Sequence, residues 1–346
     1  MGLVGSPDGA STLILRKRET VMAQNLVPVT ILTGFLGSGK TTLLNRILTE
    51  QHGHRIAVIE NEFGEEGVDN ELLLQNADEQ IVEMNNGCIC CTVRGDLVRI
   101  LGDLRERREA GDIQFERVII ETTGLADPGP VAQTFFIDDD VAEYYLLDAV
   151  ITVVDARHGD QQLNENKEAV EQVGFADRIL MSKVDLVGQA EQDALRKRLS
   201  RINPRAPIRP VHFGDAPIDE ILDIRGFNLN AVLELAPDFL TSDEHEHDDA
   251  VTSFIFKSDK PFDAAKLEDF LGGLVQVYGP DMLRYKGVLF VKGSERQMVF
   301  QGVHQMMGAD LGRRWQPGEK QSSKMVFIGR KLPKDMFIQG LKQCLA

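Results

Sequence analysis

The sequence predicts a doubly wound α/β domain with a mostly parallel sheet, followed by a smaller α+β domain. Short apolar runs rich in β-branched residues alternate with amphipathic helical patterns, which is typical of βαβ units. These runs are nearly continuous in hydrophobicity, as expected for strands buried on both faces of a parallel sheet. The predicted strands of the first domain include Val29–Leu32, Ile56–Ile59, Val118–Ile120, Val150–Val154 and Ile179–Met181.

The division of the chain follows its composition, and 346 residues suit about two domains. We expect residues 1–26 to be a disordered extension and residues 27–235 to form the α/β domain. Residues 236–250 are an acidic, histidine-containing linker, and residues 251–346 form the second domain. The second domain is predicted to contain strands at Phe254–Phe256, Gly287–Val291 and Met325–Ile328, and helices at Ala264–Val277 and Lys334–Leu345.

The overall composition excludes several classes of protein. There are 38 basic and 54 acidic residues, a net charge of −16, which disfavours broad nucleic-acid binding. No apolar run approaches the roughly 20 residues needed to cross a bilayer. The four cysteines are unevenly spaced, which favours a reducing compartment over a disulfide framework. We therefore expect a cytoplasmic protein that binds neither nucleic acid nor membrane.

A phosphate-binding motif lies between the first predicted strand and a helix. The segment Gly34–Thr41, the phosphate loop, matches the pattern G-x-x-x-x-G-K-[ST]. Its glycines let backbone N–H groups converge on an anion at the start of a helix. Lys40 would reach the β- and γ-phosphates, and the Thr41 hydroxyl would hold Mg²⁺. The residues expected to contact nucleotide here are Gly34, Gly37, Ser38, Gly39, Lys40, Thr41 and Thr42.

A second motif indicates which base is bound. Ser182-Lys183-Val184-Asp185 follows a late predicted strand and is a variant of the [NT]-K-x-D element of guanine-specific proteins. The Asp185 carboxylate can accept hydrogen bonds from guanine N1 and N2, and adenine offers no such pair of donors. The stem of Lys183 would pack along the base, and Ser182 replaces the usual Asn or Thr. The expected ligands are GTP and GDP.

Acidic residues at strand ends are candidates for the Mg²⁺ site. Glu121 ends the strand Val118–Ile120, where a carboxylate suits Mg²⁺ or its water, and the Gly124 N–H could sense the γ-phosphate. Asp155 ends the next strand and is the rival acid. We favour Glu121; for either residue, the alternative is a carboxylate that only caps a strand or helix.

Three cysteines in four residues suggest a metal or redox site. Cys88 and Cys90 share a face of an extended chain and can converge on one ion, whereas Cys91 joins only if the backbone bends. Zinc prefers four tetrahedral ligands, so the short segment leaves the site incomplete, which suits a carrier. Buried hydrophobic packing and a redox role remain alternatives, although a Cys90–Cys91 disulfide would be strained.

Other metal ligands could come from two acidic segments. Glu60–Glu66 follows the second strand, where nucleotide-sensing loops are common, although a solvated acidic loop is the simpler interpretation. His245 and His247 lie among five acidic residues and could capture a divalent ion weakly. A flexible charged linker explains this second segment equally well.

Together these motifs resemble the CobW-type family of metal-handling P-loop GTPases, and its YjiA-like members in particular. The similarity runs from about Val27 to the C-terminus and includes Leu283–Gly287 and Phe300–Val303. It implies a P-loop GTPase fold and a hydrolysis cycle that controls delivery of a transition metal, most often zinc, to client proteins. In the family the cysteine motif is the metal-transfer site. The resemblance also implies a second metal site formed by Glu60, Glu65 and Cys90.

The leading functional hypothesis is therefore a GTP-dependent zinc chaperone that acts on client metalloproteins. Within the same class, the ion could be cobalt for cobalamin synthesis, or iron or cobalt for a metalloenzyme. A nucleotide-binding redox regulator is the alternative from another class. A kinase-like transferase is disfavoured because Asp185 predicts guanine and no acceptor site is evident. A homo-oligomer is compatible with the sequence.

Overall fold

The computed structural model describes residues 26–50, 53–60, 81–83, 93–226 and 251–346. The strands of its first domain are β1 (Val27–Thr33), β2 (Ile56–Glu60), β3 (Ile81–Glu83), β4 (Arg117–Glu121), β5 (Tyr145–Asp155), β6 (Arg178–Ser182) and β7 (Ile208–Pro210). Within these ranges they form one seven-stranded parallel sheet in the order β3-β2-β4-β1-β5-β6-β7. The doubly wound α/β prediction is confirmed.

Helices connect the strands. They are α1 (Lys40–Thr49), α2 (Val93–Ala110), α3 (Pro128–Ile137), α4 (Asp139–Tyr144), α5 (Gly159–Glu165), α6 (Lys167–Phe175) and α7 (Gln189–Ile202). In α1, buried Leu43, Leu44, Ile47 and Leu48 form one stripe at helical spacing, and this stripe packs on one face of the sheet. The strand order reverses at β1, whose neighbours are β4 and β5. Ligands bind open α/β sheets at such a switch point, at the carboxyl ends of the strands.

The second domain is an antiparallel sheet with two helices, as the α+β prediction requires. Its strands are β8 (Val251–Ser258), β9 (Met282–Leu289), β10 (Arg296–Val303), β11 (Met306–Arg314) and β12 (Ser323–Arg330), and its helices are α8 (Ala264–Tyr278) and α9 (Lys334–Gln343). The described strands pair in the order β11-β10-β9-β12-β8. The sequence did not predict β10 and β11. The predicted strand Gly287–Val291 is wrong in its bounds, because β9 begins five residues earlier, at Met282.

One buried hydrophobic cluster spans the two domains. Leu283, Val326 and Ile328 of the second sheet lie in the same buried cluster as the helices and strands of the first domain. Helix α6 forms much of this boundary, and a Cβ added to its Gly174 would lie 3.0 Å from the Leu283 side chain. Arg330 Nε also donates to Glu171 Oε1 on α6 at 2.8 Å. The second domain is therefore fixed to the first by apolar and charged contacts.

A buried charge cluster, formed by Asp177, Arg205, Arg284 and Lys286, also joins the domains. Arg284 Nη2 donates to Asp177 Oδ1 at 2.7 Å, and both side chains are 2% exposed. Arg205 Nη2 approaches the same oxygen at 3.5 Å, and the Val150 N–H donates to Asp177 Oδ2 at 3.0 Å. Burial lowers the pKa of Arg284, and the charge of Asp177 opposes this shift. Burial also lowers the pKa of Lys286 to about 8.

In the part of the chain that the structure describes, every helix is too short or too polar to cross a bilayer.

Candidate nucleotide-binding site

The phosphate loop joins β1 to α1 and is shaped by its glycines. Gly34, Gly37 and Gly39 have φ values of 145°, 70° and 101°, which non-glycine residues rarely adopt. A Cβ on Gly34 would lie 2.3 Å from the carbonyl oxygen of Val153, so this position also needs glycine for space. Gly39 caps α1 without a side-chain hydrogen bond. The first N–H groups of the helix can therefore serve an anion.

Lys40 lies over this loop. Its side chain is buried, and Nζ donates to the Gly34 carbonyl at 3.0 Å and approaches that of Phe35 at 3.4 Å. Burial lowers the pKa of Lys40, and the charge of Glu121 acts in the opposite direction. A phosphate bound in the loop would favour the charged ammonium, because an opposite charge nearby stabilises it.

Glu121 is the acid that lies against the phosphate loop. The Thr41 hydroxyl donates to Glu121 Oε1 at 3.3 Å. The contact arises because β4 pairs with β1, which places Glu121 beside Leu32 just before the loop. A hydroxyl and a carboxylate oxygen are ligands that suit Mg²⁺. The two side chains therefore fit the ion that the phosphate-loop motif implies, and their roles as ligands stay a prediction.

Asp155, the rival acid, is committed to other groups. Its Oδ2 accepts from Lys183 Nζ at 2.8 Å and contacts His158 Nδ1 at 3.0 Å, while Oδ1 accepts from the Arg157 N–H at 2.8 Å. Burial alone would raise the pKa of Asp155, but hydrogen bonds from Lys183 and His158 lower it below its ordinary value. Asp155 thus positions Lys183 of the predicted base-recognition element, residues Ser182–Asp185. The sequence did not predict this role of Asp155.

The base-recognition element is tied to the phosphate loop. Ser182 Oγ donates to the carbonyl of Ser38 at 2.6 Å, and Lys183 Nζ donates to that of Gly37 at 2.7 Å. Lys183 itself has a φ of 54°, so the chain turns sharply after β6. The serine that departs from the usual Asn or Thr therefore still supplies a hydrogen-bond donor. Asp185 follows in a short 3₁₀ turn, and its side chain is 42% exposed.

The Gly124 loop, residues Thr122–Asp127, packs directly on the phosphate loop. Gln172 of α6 is buried, and its Nε2 donates to the carbonyls of Gly124 at 3.1 Å and Ala126 at 3.0 Å. These two hydrogen bonds from α6 fix the backbone of the Gly124 loop. This role is not predicted from the sequence, because a glutamine in an amphipathic helix is usually at the surface.

Gly124→Ala should lower kcat for GTP hydrolysis by at least about tenfold. A Cβ at this position would lie 2.6 Å from the backbone N of Leu36, so one of the two loops must move. Displacements of about 1 Å at a reacting centre can reduce rates by about a hundredfold. Single-turnover GTP hydrolysis measures the effect. Gly273→Ala in α8, where a Cβ meets nothing within 4 Å, is the matched control and should behave as wild type. Wild-type turnover in Gly124→Ala would contradict the close packing of the loops.

The predicted metal ligands are described only in part. Glu60 ends β2 with a buried side chain, in register with Glu83 of β3 and Glu121 of β4. Four predicted ligands lie outside the described residues: Cys88, Cys90, Cys91 and Glu65. The linker residues His245 and His247 lie outside them as well. Within the described ranges, no three His, Cys, Asp or Glu side chains are grouped as a metal site. The cysteine site stays a prediction.

Family models match both domains. Residues 28–210 match the CobW/HypB/UreG nucleotide-binding domain, and residues 251–345 match the C-terminal domain of the cobalamin synthesis protein cobW. The second match covers the strands and helices of the smaller domain from β8 to α9.

Relatives of similar length support the same assignment. The zinc chaperone YjiA of Escherichia coli is 45% identical over 312 residues, which cover 90% of this chain and 96% of the relative. The zinc chaperone CobW of Pseudomonas aeruginosa is 33% identical over 360 aligned residues, covering 92% of each protein. The crystal structure of Zn(II)-bound YjiA GTPase superposes with a TM-score of 0.78 at 37% identity, covering 93% of this chain and 100% of that one. The chain therefore belongs to the CobW/HypB/UreG family and is a P-loop GTPase.

Proposed function

We propose that this GTPase is a metallochaperone that binds zinc through Cys88, Cys90 and Cys91 and delivers it to client metalloproteins. Binding and hydrolysis of GTP would control loading and release. Relatives that are named zinc chaperones, at 45% and 33% identity over nearly the whole chain, support zinc as the cargo. A relative named zinc-regulated GTPase metalloprotein activator 1, from Dictyostelium discoideum, supports metalloproteins as clients.

The observation that carries the proposal is the row of glutamates at one edge of the sheet. Glu83, Glu60 and Glu121 pair across β3, β2 and β4, whose spacing in a sheet is about 4.8 Å. Glu121 contacts Thr41 of the phosphate loop. Strand β3 therefore ends at the edge where nucleotide binds, and Cys88 follows five residues later in the sequence. A change at Glu121 can reach the end of β3, the strand that precedes the cysteines in the sequence, across one strand.

On the nucleotide side, Thr41 and Glu121 would hold Mg²⁺. When bound, Mg²⁺ neutralises charge on the β- and γ-phosphates. Lys40 would add a fixed positive charge at the same phosphates, and the Gly124 N–H, in the loop that Gln172 holds, would meet the γ-phosphate. Asp185 recognises the guanine base while Asp155 and Ser182 hold its motif against the phosphate loop. Gain or loss of the γ-phosphate would then move the Gly124 loop and, through Glu121, the neighbouring strand end.

On the cargo side, three thiolates would fill three of the four positions around a tetrahedral zinc, so that a fourth ligand is needed. Glu60 or Glu65 could supply it in one nucleotide state and withdraw it in the other. A site with three protein ligands exchanges its metal more readily than a closed structural site. Because thiolates bind metal and thiols do not, zinc affinity should fall as the pH is lowered. Each cysteine ligand must lose its proton to bind the metal. It therefore contributes up to about a tenfold fall in zinc affinity for every pH unit below the ordinary cysteine pKa of about 8.5.

Replacing Cys90 and Cys91 together by serine should raise the Kd for zinc by at least about a hundredfold. Loss of groups that merely support a ligand already lowers metal affinity by about 10- to 100-fold, and loss of ligands exceeds that. The Kd is measured by competition with a chromogenic chelator at neutral pH, alongside the response of GTP hydrolysis to zinc. Unchanged zinc affinity together with an unchanged zinc response would refute the proposal.

Cys344→Ala is the matched control for that experiment. Cys344 is 4% exposed in the core of the second domain, and Sγ donates to the carbonyls of Lys266 and Gly340. Burial raises the pKa of its thiol, which makes it a poor metal ligand at neutral pH. We expect this variant to keep zinc affinity. Thiol reactivity in the wild type without stoichiometric metal would favour a redox regulator instead.

Solution affinity is the better readout than zinc found in a crystal. One zinc-bound structure that superposes on this chain, with a TM-score of 0.79, is of a YjiA variant in which one glutamate and two cysteines are replaced by alanine. Zinc in a crystal of that relative therefore does not require those three side chains.

A further inference from the structure

A tight turn, His212–Asp215, follows β7 beside the base-recognition element. The Asp215 N–H donates to the His212 carbonyl at 2.9 Å, which closes the turn. Its two central residues, Phe213 and Gly214, have φ values of 46° and 73°. Turns with positive φ at both central positions favour glycine, asparagine and aspartate. A phenylalanine in this position is unusual and calls for a reason.

The turn is fixed on two sides. The Val211 N–H donates to the Met181 carbonyl at 2.8 Å, which extends the pairing of β7 with β6 up to the turn. A Cβ on Gly214 would lie 3.0 Å from Leu43 Cα, so the turn sits directly on the start of α1. Arg46 Nη2 of α1 donates to Asp215 Oδ1 at 2.7 Å. The turn is therefore held between the guanine motif and the helix that begins in the phosphate loop.

The side chain of Phe213 is hardly buried by the rest of the protein. Its side chain is 73% exposed, the largest value among the exposed large hydrophobic residues that the structure describes. Its ring contacts the His212 ring edge to face, with centroids 4.5 Å apart. A strained backbone that presents an apolar ring to solvent near a ligand site is typical of a functional residue.

His212 contacts the guanine-reading carboxylate itself. Its Nδ1 lies 3.1 Å from Asp185 Oδ1. With the proton on Nδ1, the imidazole donates to one lone pair of that oxygen and leaves acceptor capacity on both carboxylate oxygens. This contact restricts the rotation of the Asp185 side chain, which is 42% exposed. The fixed carboxylate can then face two donors on a base at once.

We propose that the turn completes the guanine pocket, with Phe213 as a stacking platform and His212 as a positioning residue for Asp185. The ring of Phe213 covers one face of the base, and the aliphatic stem of Lys183 covers the other. His212 holds Asp185 so that its carboxylate accepts from both N1 and N2 of guanine. The two residues therefore have separable effects on affinity and on base specificity.

Affinities for GDP and inosine diphosphate distinguish the two roles, because hypoxanthine lacks the 2-amino donor. Phe213→Ala should weaken both nucleotides by about tenfold and leave their ratio unchanged, since stacking on an aromatic ring tolerates any base. His212→Ala should weaken the binding of GDP more than that of inosine diphosphate. The preference for GDP, measured as the ratio of the two Kd values, should therefore fall by about fivefold. Both Kd values are measured by competition against a fluorescent GDP analogue on the full-length protein.

Matched variants separate these effects from general damage. Phe136→Ala removes a 40% exposed ring elsewhere, and His54→Ala removes another histidine that contacts a carboxylate, Glu116, at 3.7 Å. Both should bind the two nucleotides as wild type does. Phe213→Tyr should keep affinity, and Phe213→Gly should lose it although glycine suits the positive φ.

Three outcomes would overturn the proposal. One is a GDP affinity within about twofold of wild type in Phe213→Ala and Phe213→Gly. Another is a Phe213→Tyr variant as weak as Phe213→Ala. The last is an unchanged nucleotide ratio in His212→Ala. Because the test concerns the nucleotide alone, its result is independent of whether the cysteines carry zinc.

Discussion

Replacing Lys40 by alanine should reduce kcat for GTP hydrolysis by about a hundredfold to a thousandfold while leaving the nucleotide-free protein folded. Lys40 Nζ is held by the carbonyls of Gly34 and Phe35, so its charge is positioned before the nucleotide arrives. Loss of one preorganised group that stabilises developing negative charge has an effect of about this size. Folding is spared because burial already disfavours the charged form of Lys40, as its lowered pKa indicates.

The measurement is steady-state phosphate release, with the circular dichroism spectrum and thermal midpoint of each variant. Lys320→Ala is the matched control, since Lys320 is 77% exposed and contacts only the exposed carboxylate of Asp259 among the contacts described. It should hydrolyse GTP at the wild-type rate. Full turnover in Lys40→Ala would reject the assignment of the phosphate loop.

Asp177→Asn should lower the free energy of unfolding by about 3–5 kcal/mol, the range measured when one partner of a buried ion pair is removed. The substitution keeps the shape of the side chain but removes the carboxylate that faces Arg284 and Arg205. Arg205 Nε and Nη1 are already buried without a hydrogen-bond partner, so no spare acceptor replaces the lost charge there. Because this cluster joins both domains, the whole protein should unfold earlier.

Urea unfolding monitored by fluorescence and circular dichroism measures the change. Asp259→Asn is the control, because the Asp259–Lys320 pair is exposed on both sides and such pairs contribute about 0–1 kcal/mol. A loss at Asp177 no larger than the loss at Asp259 would show that the buried cluster does not hold the domains together.

The sequence predicted the first sheet well because its strands are apolar on both faces. It predicted β9 poorly for a physical reason. Arg284 and Lys286 look like surface residues, yet both are buried, because Asp177 approaches them from the other domain. That carboxylate is 107 positions away from Arg284 in the chain, which no local pattern can register. Strand β10 was missed likewise, since buried Gln297 and Gln301 interrupt its apolar pattern.

In the nucleotide site, the motif residues were predicted from spacing alone, because a phosphate loop needs glycines and a lysine at fixed intervals. The residues that hold these motif residues in place were not predicted. Gln172 acts on Gly124 across 48 residues, and His212 acts on Asp185 across 27. The sequence identifies Asp155 as an acid at a strand end. Its hydrogen bond with Lys183, and not with the phosphate loop, depends on the order of the strands. Such roles exist only once distant segments meet.

Helix α6 links the second domain to the loop beside the nucleotide site. Two consecutive residues of this helix face different parts of the molecule. Glu171 binds Arg330 of the second sheet, and Gln172 binds the backbone of the Gly124 loop. Binding equilibria linked through one element act on each other equally in both directions. For a chaperone of the kind proposed, a client that docks on the second sheet would change the affinity for GTP by the same factor as GTP changes the affinity for that client. The client would then help to set when its metal is released.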